Sequence, residues 1–361
     1  MKHILVTGAA GFIGSAFVRE ALAKDYRVTI LDALTYAGHM ENLQEILRPG
    51  QCEFVKADLR DFNALQKLLG ELFLSKSNEP NSGKIAESDF VGVLNFAAES
   101  HVDNSISGPR EFIETNVMGT FNLLEATRQY WQNLNESQKS QFRFLHVSTD
   151  EVFGALGDTG KFSEATAYAP NSPYSASKAS SDHLVRAWHH TYGLPTVTTN
   201  CSNNYGPRQF PEKLIPLMIR QALAGKPLPV YGKGANIRDW IHVEDHARGV
   251  LLAFEKGRPG GTYCFGGNSE RNNLQVVKSI CAHLDVLAPR KDGKLHEVGI
   301  NFVQDRAGHD YRYAIDDSLA QQELGFTRQY KNFEEGLKHT VKWYLENQTW
   351  SEQVLSSSRK V

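Results

Sequence analysis

The sequence is poor in cysteine, in long apolar runs and in net charge, and each shortage excludes a class of protein. Four cysteines occur in 361 residues, without a Cys-x-x-Cys pair, so we expect free thiols in a reducing cytosol and no metal site. No apolar run approaches the roughly 18 residues that span a bilayer, and we expect no signal peptide. A formal net charge of −2 gives no electrostatic case for nucleic acid or an anionic membrane. We therefore expect a cytoplasmic protein that acts on a small molecule.

The first half of the chain alternates short β-branched runs with longer amphipathic segments. The runs cover residues 4–7, 27–31, 53–56, 91–97 and 142–148, and the amphipathic segments include 12–23 and 111–131. This alternation predicts the α/β class, with a Rossmann-type doubly wound parallel sheet. After residue 200 prolines interrupt the pattern, which indicates a smaller C-terminal α/β lobe that binds a ligand. Residues 74–89, rich in Ser, Asn, Pro and Gly, are expected to form a surface loop.

A glycine-rich turn follows the first predicted strand. Gly8, Gly11 and Gly14 have the spacing Gly-x-x-Gly-x-x-Gly, which lets the backbone approach a pyrophosphate at a helix N-terminus. Asp32 ends the second strand, where a carboxylate accepts hydrogen bonds from the adenosine ribose and repels a 2′-phosphate. The pattern favours NAD over NADP, whereas a plain βα turn and a helix-capping aspartate are the alternatives. Asp58 also follows a strand, at a place where further cofactor contacts occur.

A Tyr-x-x-x-Lys pair, Tyr174 and Lys178, follows the helix-start signal Pro173. Lys178, beside a positively charged nicotinamide, would lower the pKa of Tyr174 so that a phenolate takes a hydroxyl proton. Thr149, at the end of the preceding apolar run, would hydrogen-bond the same substrate oxygen. The pair therefore predicts oxidation of an alcohol to a ketone with hydride transfer to NAD.

Two adjacent carboxylates, Asp150 and Glu151, are not needed for simple hydride transfer. If both enter the site, their repulsion raises one pKa and leaves an acid beside a base. Glu151 would then remove the proton next to the ketone, and Asp150 would protonate a departing hydroxyl. The alternative is a helix N-cap or a solvated turn. The combination predicts elimination of water during a transient oxidation.

The chain closely resembles the 4,6-dehydratases of nucleotide-linked sugars, within the extended short-chain dehydrogenase/reductase family. The matching segments span roughly residues 1–345 and include TGAAGFIGSAFVR, LDALTYAGHMENL, FLHVSTDEVFG, SPYSASKASSDHLVRAW and TNCSNNYGPRQFPEKLIPLMI. The resemblance implies dTDP-glucose as the substrate and a 4-keto-6-deoxy sugar as the product. Tyr174 would deprotonate the hydroxyl at sugar carbon 4, Glu151 would take the proton from carbon 5, and Asp150 would protonate the hydroxyl that leaves carbon 6.

The resemblance also implies the binding residues and the oligomeric state. The implied NAD contacts are Gly8, Gly11, Phe12, Ile13, Gly14, Asp32, Ala33, Leu34, Thr35, Asp58, Leu59, Ala97, Ala98, Ser100, Thr115, Tyr174, Lys178 and Asn204. The implied substrate contacts are Ser100, Thr149, Asn203, Lys213, Leu214, Pro229, Tyr231, Arg238, Asn273, Arg306 and His309. Helices at 111–131 and 173–192 would form a four-helix bundle in a homodimer. The expected organisation is an NAD-binding domain at 1–200, to which about 235–255 and 310–320 return, a nucleotide-sugar lobe at 201–345 and a tail at 346–361.

Other activities on the same scaffold stay open. A 4-epimerase would need Tyr174 and Lys178 but normally carries small residues in place of the two carboxylates, and a decarboxylase resembles the motif with serine in place of Asp150. A 4,6-dehydratase acting on a UDP-, CDP- or GDP-linked sugar is a further alternative. A non-catalytic NAD-binding protein predicts loss of Thr149, Tyr174 or Lys178, and all three are present. Departures from the expected motifs occur at Asn104, Phe153, Arg208, Ala307 and Tyr311.

Overall fold

Short strands of the first half of the chain form one parallel sheet. The computed structural model describes residues 1–74, 89–305 and 310–358. The strands are β1 His3–Thr7, β2 Arg27–Asp32, β3 Cys52–Lys56, β4 Phe90–Asn95, β5 Arg143–Thr149, β6 Thr196–Cys201, β7 Asn203–Tyr205, β8 Leu228–Tyr231, β9 Ile237–His242, β10 Gly261–Phe265, β11 Glu270–Asn272 and β12 Ile300–Val303. Seven of them pair in the order β10-β6-β5-β4-β1-β2-β3, every pair parallel. The predicted Rossmann-type sheet is confirmed.

Helices cover both faces of this sheet. In the described part of the chain the α-helices, including those of the smaller lobe, are α1 Phe12–Ala23, α2 Phe62–Leu74, α3 Val102–Ser107, α4 Pro109–Phe112, α5 Gly119–Gln132, α6 Glu136–Gln141, α7 Pro173–Tyr192, α8 Leu214–Leu223, α9 Val243–Lys256, α10 Asn273–Leu287, α11 Phe333–Glu346 and α12 Gln348–Ser358. Phe17 of α1 and Val250 of α9 pack with Ile4 on one face, and Leu123 of α5 packs with Leu5 on the other. Because both faces are buried, the strands are almost continuously apolar.

The amphipathic segment 111–131 forms two helices with an irregular turn between them. A π-helical turn, Ile113–Met118, separates α4 from α5. Asn116 lies in this turn, is 1% exposed, and bonds the backbone N–H and C=O of Glu99 and the hydroxyl of Ser177. The turn thereby ties the end of β4 to the first turns of α7, and π turns commonly occur near functional sites.

The second half of the chain builds a smaller lobe. Strands β7, β9 and β11 form a three-stranded sheet, β8 and β12 form a parallel pair, and α8, α10 and α11 pack over a separate core that contains Ile215, Ile280 and Leu337. α9 lies on the main sheet, and β10 is the edge strand of that sheet although residues 261–265 fall in the range expected for the lobe. The exact domain division stays a prediction.

Two further expectations concern a surface loop and membrane-spanning helices. The surface loop expected at 74–89 lies almost wholly outside the described residues. Among the residues that are described, no helix combines the length and apolarity needed to cross a membrane.

Candidate active site

A cleft of about 330 Å³ lies at the carboxyl ends of the parallel strands. The strand order reverses between β1 and β4, and in such sheets the crevice outside this switch point is where ligands bind. The ends of β1, β2, β4 and β5 and the start of α7 all contribute to the lining. The fold therefore brings the predicted glycine turn and the predicted catalytic residues to one cavity.

The backbone geometry of the glycine-rich turn requires glycine at two positions, Gly8 and Gly14. Gly8 has a φ of +68°, and a Cβ there would lie 2.5 Å from the Ala97 nitrogen; at Gly14 it would lie 2.5 Å from the Gly8 carbonyl oxygen. α1 begins after Gly11 without a side-chain cap, and Gly11 to Gly14 line the cleft. The N–H groups of this first turn are thus available to an anion, which fits the pyrophosphate of a dinucleotide.

Asp32 lies at the end of β2 and is 7% exposed. Its carboxylate accepts hydrogen bonds from the backbone N–H groups of Ala10, at 2.9 Å, and Leu34, at 2.8 Å. Burial raises the pKa of Asp32, while these two backbone donors act in the opposite direction. Each oxygen keeps a further acceptor position, so the carboxylate is oriented for ribose hydroxyls. Leu34 has a φ of +55° and supports Asp32 through its backbone, without its side chain lining the cleft.

Asp150 and Glu151 form the first turn of a short 3₁₀ helix, Asp150–Phe153, which is capped by the Thr149 hydroxyl. The chain leaves the strand geometry here, so both carboxylates line the cleft instead of pointing to opposite faces. Asp150 is 2% exposed, which excludes the solvated-turn alternative. Its Oδ1 accepts from the Thr149 hydroxyl at 3.3 Å, and its Oδ2 has no hydrogen-bond partner among the described residues.

The environment of Asp150 favours a neutral carboxylic acid. Burial first, and then the Glu151 charge, raise the pKa of Asp150 well above its usual value. A carboxyl group kept protonated at neutral pH can donate its proton to a leaving oxygen. Because one oxygen is buried without a protein partner, the group is suited to a polar ligand atom in the cleft.

Tyr174 and Lys178 lie one helical turn apart at the start of α7, so both face the cleft. A capping box between Ser172 and Ser175 and the Pro173 ring at the first helical position determine where this helix begins. The Lys178 ammonium donates to the Val147 carbonyl at 2.9 Å. Burial lowers the pKa of Lys178 and raises the pKa of Tyr174 well above its usual value. The expected lowering of the Tyr174 pKa is therefore not found: burial first, and then the Glu151 charge, raise it.

A buried polar network that the sequence did not predict supports this pair. Asp182, one turn beyond Lys178, accepts hydrogen bonds from Ser148 at 2.7 Å and Tyr168 at 2.9 Å. His146 lies 3.3 Å from Asp182 and 3.4 Å from Lys178, and burial followed by the Lys178 charge lowers its pKa to about 4. A neutral imidazole thus separates the ammonium from the Asp182 carboxylate.

The structure brings most, but not all, of the predicted binding residues to the cleft. Every predicted NAD contact except Leu34 lines it, as do Ser100, Thr149, Asn203 and Lys213 of the predicted substrate set. Leu214, Pro229, Tyr231, Arg238 and Asn273 lie outside its lining, and Arg306 and His309 lie outside the described residues. The guanidinium of Arg238 nevertheless acts on the pKa of Asp150 and lies 4.2 Å from the Tyr313 ring centroid.

Other lining residues were not predicted as site residues, although Arg208 was noted as a departure from the expected motif. They include Tyr36, His39, Asn42, Glu99, Arg208, Phe210, Trp350 and Val354. Tyr36, His39 and Asn42 belong to a segment that was quoted for its resemblance but carries no motif of its own. Trp350 and Val354 come from the expected C-terminal tail, more than 300 residues along the chain from the glycine turn.

Fold and site together define a dinucleotide-binding protein of the short-chain dehydrogenase/reductase type. A model of the family described as GDP-mannose 4,6 dehydratase matches residues 5–340, and the chain belongs to that family. It is 57% identical to a dTDP-glucose 4,6-dehydratase of Xanthomonas campestris over all of this chain and 98% of that protein. It is 50% identical to the enzyme of that name from Escherichia coli, over 98% of this chain and 97% of that protein.

A solved structure of similar sequence shares the fold. The crystal structure of DesIV, a dTDP-glucose 4,6-dehydratase from Streptomyces venezuelae with NAD bound, superposes with a TM-score of 0.83 at 42% identity. The match covers 98% of this chain and 99% of that one.

Proposed function

We propose that this protein is a dTDP-glucose 4,6-dehydratase that retains NAD and converts dTDP-D-glucose to dTDP-4-keto-6-deoxy-D-glucose and water. The observation that carries the proposal is the buried Asp150 carboxyl, one oxygen of which has no hydrogen-bond partner in the described part of the chain, beside Glu151 in the cleft that also holds Tyr174 and Lys178. An alcohol oxidation needs only the tyrosine–lysine pair. The added acid and base supply what elimination of water needs.

Each residue has a distinct proton to move. With the positively charged nicotinamide in place, that charge and the charge of Lys178 would oppose the effect of burial and stabilise a Tyr174 phenolate, which would accept the proton of the hydroxyl at sugar carbon 4. The ketone that forms at carbon 4 acidifies the hydrogen at carbon 5, which Glu151 removes. Asp150 gives its proton to the oxygen at carbon 6, which leaves as water. When bound, NAD would supply the hydride acceptor for carbon 4 and the hydride donor for carbon 6, and Glu151 would return its proton to carbon 5, so the cofactor and the base would both be regenerated.

The cofactor would be held by the residues that surround the glycine turn. The uncapped N-terminus of α1 would bind the pyrophosphate and Asp32 would accept from the adenosine ribose. At the other end of the cleft, Ser100, Asn203 and Lys213 would contact the sugar and its diphosphate. Pro229, Tyr231 and Asn273, on the smaller lobe, would bind the nucleotide beyond this cavity, and Arg238 of β9 would face the diphosphate.

The proposed assembly is a homodimer in the cytoplasm. The helices expected to form a four-helix bundle carry exposed apolar side chains: Ile113 is 47% exposed, Met118 is 49% exposed and Tyr192 at the end of α7 is 44% exposed. Contact with the same helices of a second copy would remove this apolar surface from water. Sedimentation of the purified protein would test the oligomeric state directly: a monomer at micromolar concentration would contradict the proposed homodimer.

The activity is tested with the purified protein, without added NAD. Incubation with dTDP-glucose should give a product lighter by one water, and UDP-glucose in parallel should react far more slowly. A product of unchanged mass would indicate an epimerase, and loss of carbon dioxide from a UDP-glucuronate control would indicate a decarboxylase. Absence of water loss from dTDP-glucose, even with NAD supplied, would contradict the proposal.

A further inference from the structure

The last described helix, α12, reaches the cofactor side of the cleft. Trp350 and Val354 line the cavity together with His39 and Asn42, although 346–361 was expected to be only a tail. Trp350 is 9% exposed and packs against Tyr344 of α11. The helix is therefore a fixed part of the cleft wall.

One side-chain amide connects this helix to the glycine turn. The Asn42 Nδ2 donates to the Ala10 carbonyl at 2.7 Å, and its Oδ1 accepts from the Trp350 indole Nε1 at 3.1 Å. Asn42 is 2% exposed. Because the amide uses both ends, its orientation is determined by the turn on one side and by α12 on the other.

The segment between Asp32 and this amide, residues 33–42, is called the ribose loop below. The backbone N–H of His39 donates to the same Ala10 carbonyl at 3.0 Å, and the His39 ring lies parallel to Phe210 with centroids 5.5 Å apart. Ser357, near the end of α12, lies 3.3 Å from His39 Nδ1. The loop is thus held from the glycine turn, from Phe210 and at two points from α12.

We propose that α12 is part of the cofactor site, and that Trp350 is a positioning residue which holds the ribose loop and slows the loss of NAD. The inference rests on the proposed function only in taking NAD as the bound dinucleotide. Release of a dinucleotide from this cleft requires the ribose loop to move away from Asp32. That movement breaks the Asn42–Trp350 hydrogen bond, so the bond opposes cofactor release.

The test measures exchange of bound NAD for 1,N6-etheno-NAD in the full-length holoenzyme. Trp350→Phe keeps an aromatic ring but removes the donor to Asn42, and loss of one buried hydrogen bond predicts exchange about fivefold faster. Val354→Ala shortens a second lining side chain of α12 and is expected to speed exchange about twofold.

Trp240→Phe is the matched control. Trp240 is 6% exposed, lies on β9 of the smaller lobe and not in the cleft lining, and its indole N–H has no partner among the described residues. This control should exchange NAD at the wild-type rate even if its thermal midpoint falls. Wild-type exchange in Trp350→Phe and Val354→Ala, in a protein that holds NAD and dehydrates dTDP-glucose, would overturn the inference alone. A wild-type protein that binds no NAD would overturn both the inference and the proposed function.

Discussion

The catalytic end of the proposed site and the end expected to bind the nucleotide differ in burial and in the part of the chain that supplies their residues. The catalytic end consists of side chains from the 3₁₀ turn after β5 and from α7: Asp150 is 2% exposed, Lys178 3% and Tyr174 9%. The end expected to bind the nucleotide lies on the smaller lobe, where Tyr231 is 46% exposed. Burial raises the pKa of Asp150 and of Tyr174 and lowers the pKa of Lys178, whereas an exposed ring can contribute only contact area. We therefore expect reaction chemistry and nucleotide choice to depend on different parts of the fold, and changes at the two ends to have separable effects.

The largest expected effect is that of Tyr174→Phe, which removes the base for the first step. We expect kcat to fall by about 10³-fold, within the range for general acid–base groups. Because oxidation at carbon 4 comes first, the near-ultraviolet absorbance of reduced NAD should not appear when substrate is added. Tyr168→Phe removes a hydroxyl that donates to Asp182, outside the cleft lining, and is the matched control. Equal rates for the two variants would contradict the role of Tyr174.

The next largest effect is expected for Asp150→Asn, which removes the acid but preserves the shape of the side chain. We expect release of water to slow by about 10²-fold. Oxidation at carbon 4 precedes this step, so reduced NAD should accumulate when dTDP-glucose is mixed with the variant. Stopped-flow absorbance measures both phases. A variant that loses oxidation together with water release would show that the two carboxylates do not act in a separate step.

The same substitution, Asp150→Asn, should make the folded protein more stable than the wild type by an amount that increases as pH rises. The folded-state pKa of Asp150 is raised by burial, so its contribution to stability is present at low pH and is lost as pH rises through that pKa. Asparagine has no such loss. We therefore expect thermal midpoints of wild type and Asp150→Asn to converge in acid and to separate, with the variant higher by a few degrees, at weakly alkaline pH. A constant difference across pH would contradict a neutral, buried Asp150.

The smallest effect is expected at the exposed end. Tyr231→Ala should raise the KM for dTDP-glucose by roughly fivefold through loss of a ring contact, and leave kcat within about twofold. Steady-state rates with dTDP-glucose measure both constants. Exposed Tyr311, 45% accessible, offers a control outside the predicted contacts. A fall in kcat comparable to that of Asp150→Asn would show that the two ends are not separable.

Site residues could be predicted from the sequence when the residues that act together are close along the chain. The glycine turn, Asp32, the two carboxylates and the tyrosine–lysine pair are local patterns attached to predictable strand ends and a helix start, and all of them line one cleft. The contact between Asn42 and Trp350 joins residues 308 apart, and no periodicity indicates it. The π turn around Asn116 was equally unpredictable, because its apolar spacing is compatible with one continuous helix.

The central claim is that one bound cofactor carries a hydride from carbon 4 to carbon 6 while water leaves. Its most direct test uses dTDP-glucose labelled with deuterium at carbon 4, given to the purified protein without added NAD. The account predicts a product that has lost one water and carries the deuterium at carbon 6, as read by mass spectrometry and NMR. A dehydrated product without deuterium, or deuterium retained at carbon 4 with no loss of water, would contradict it.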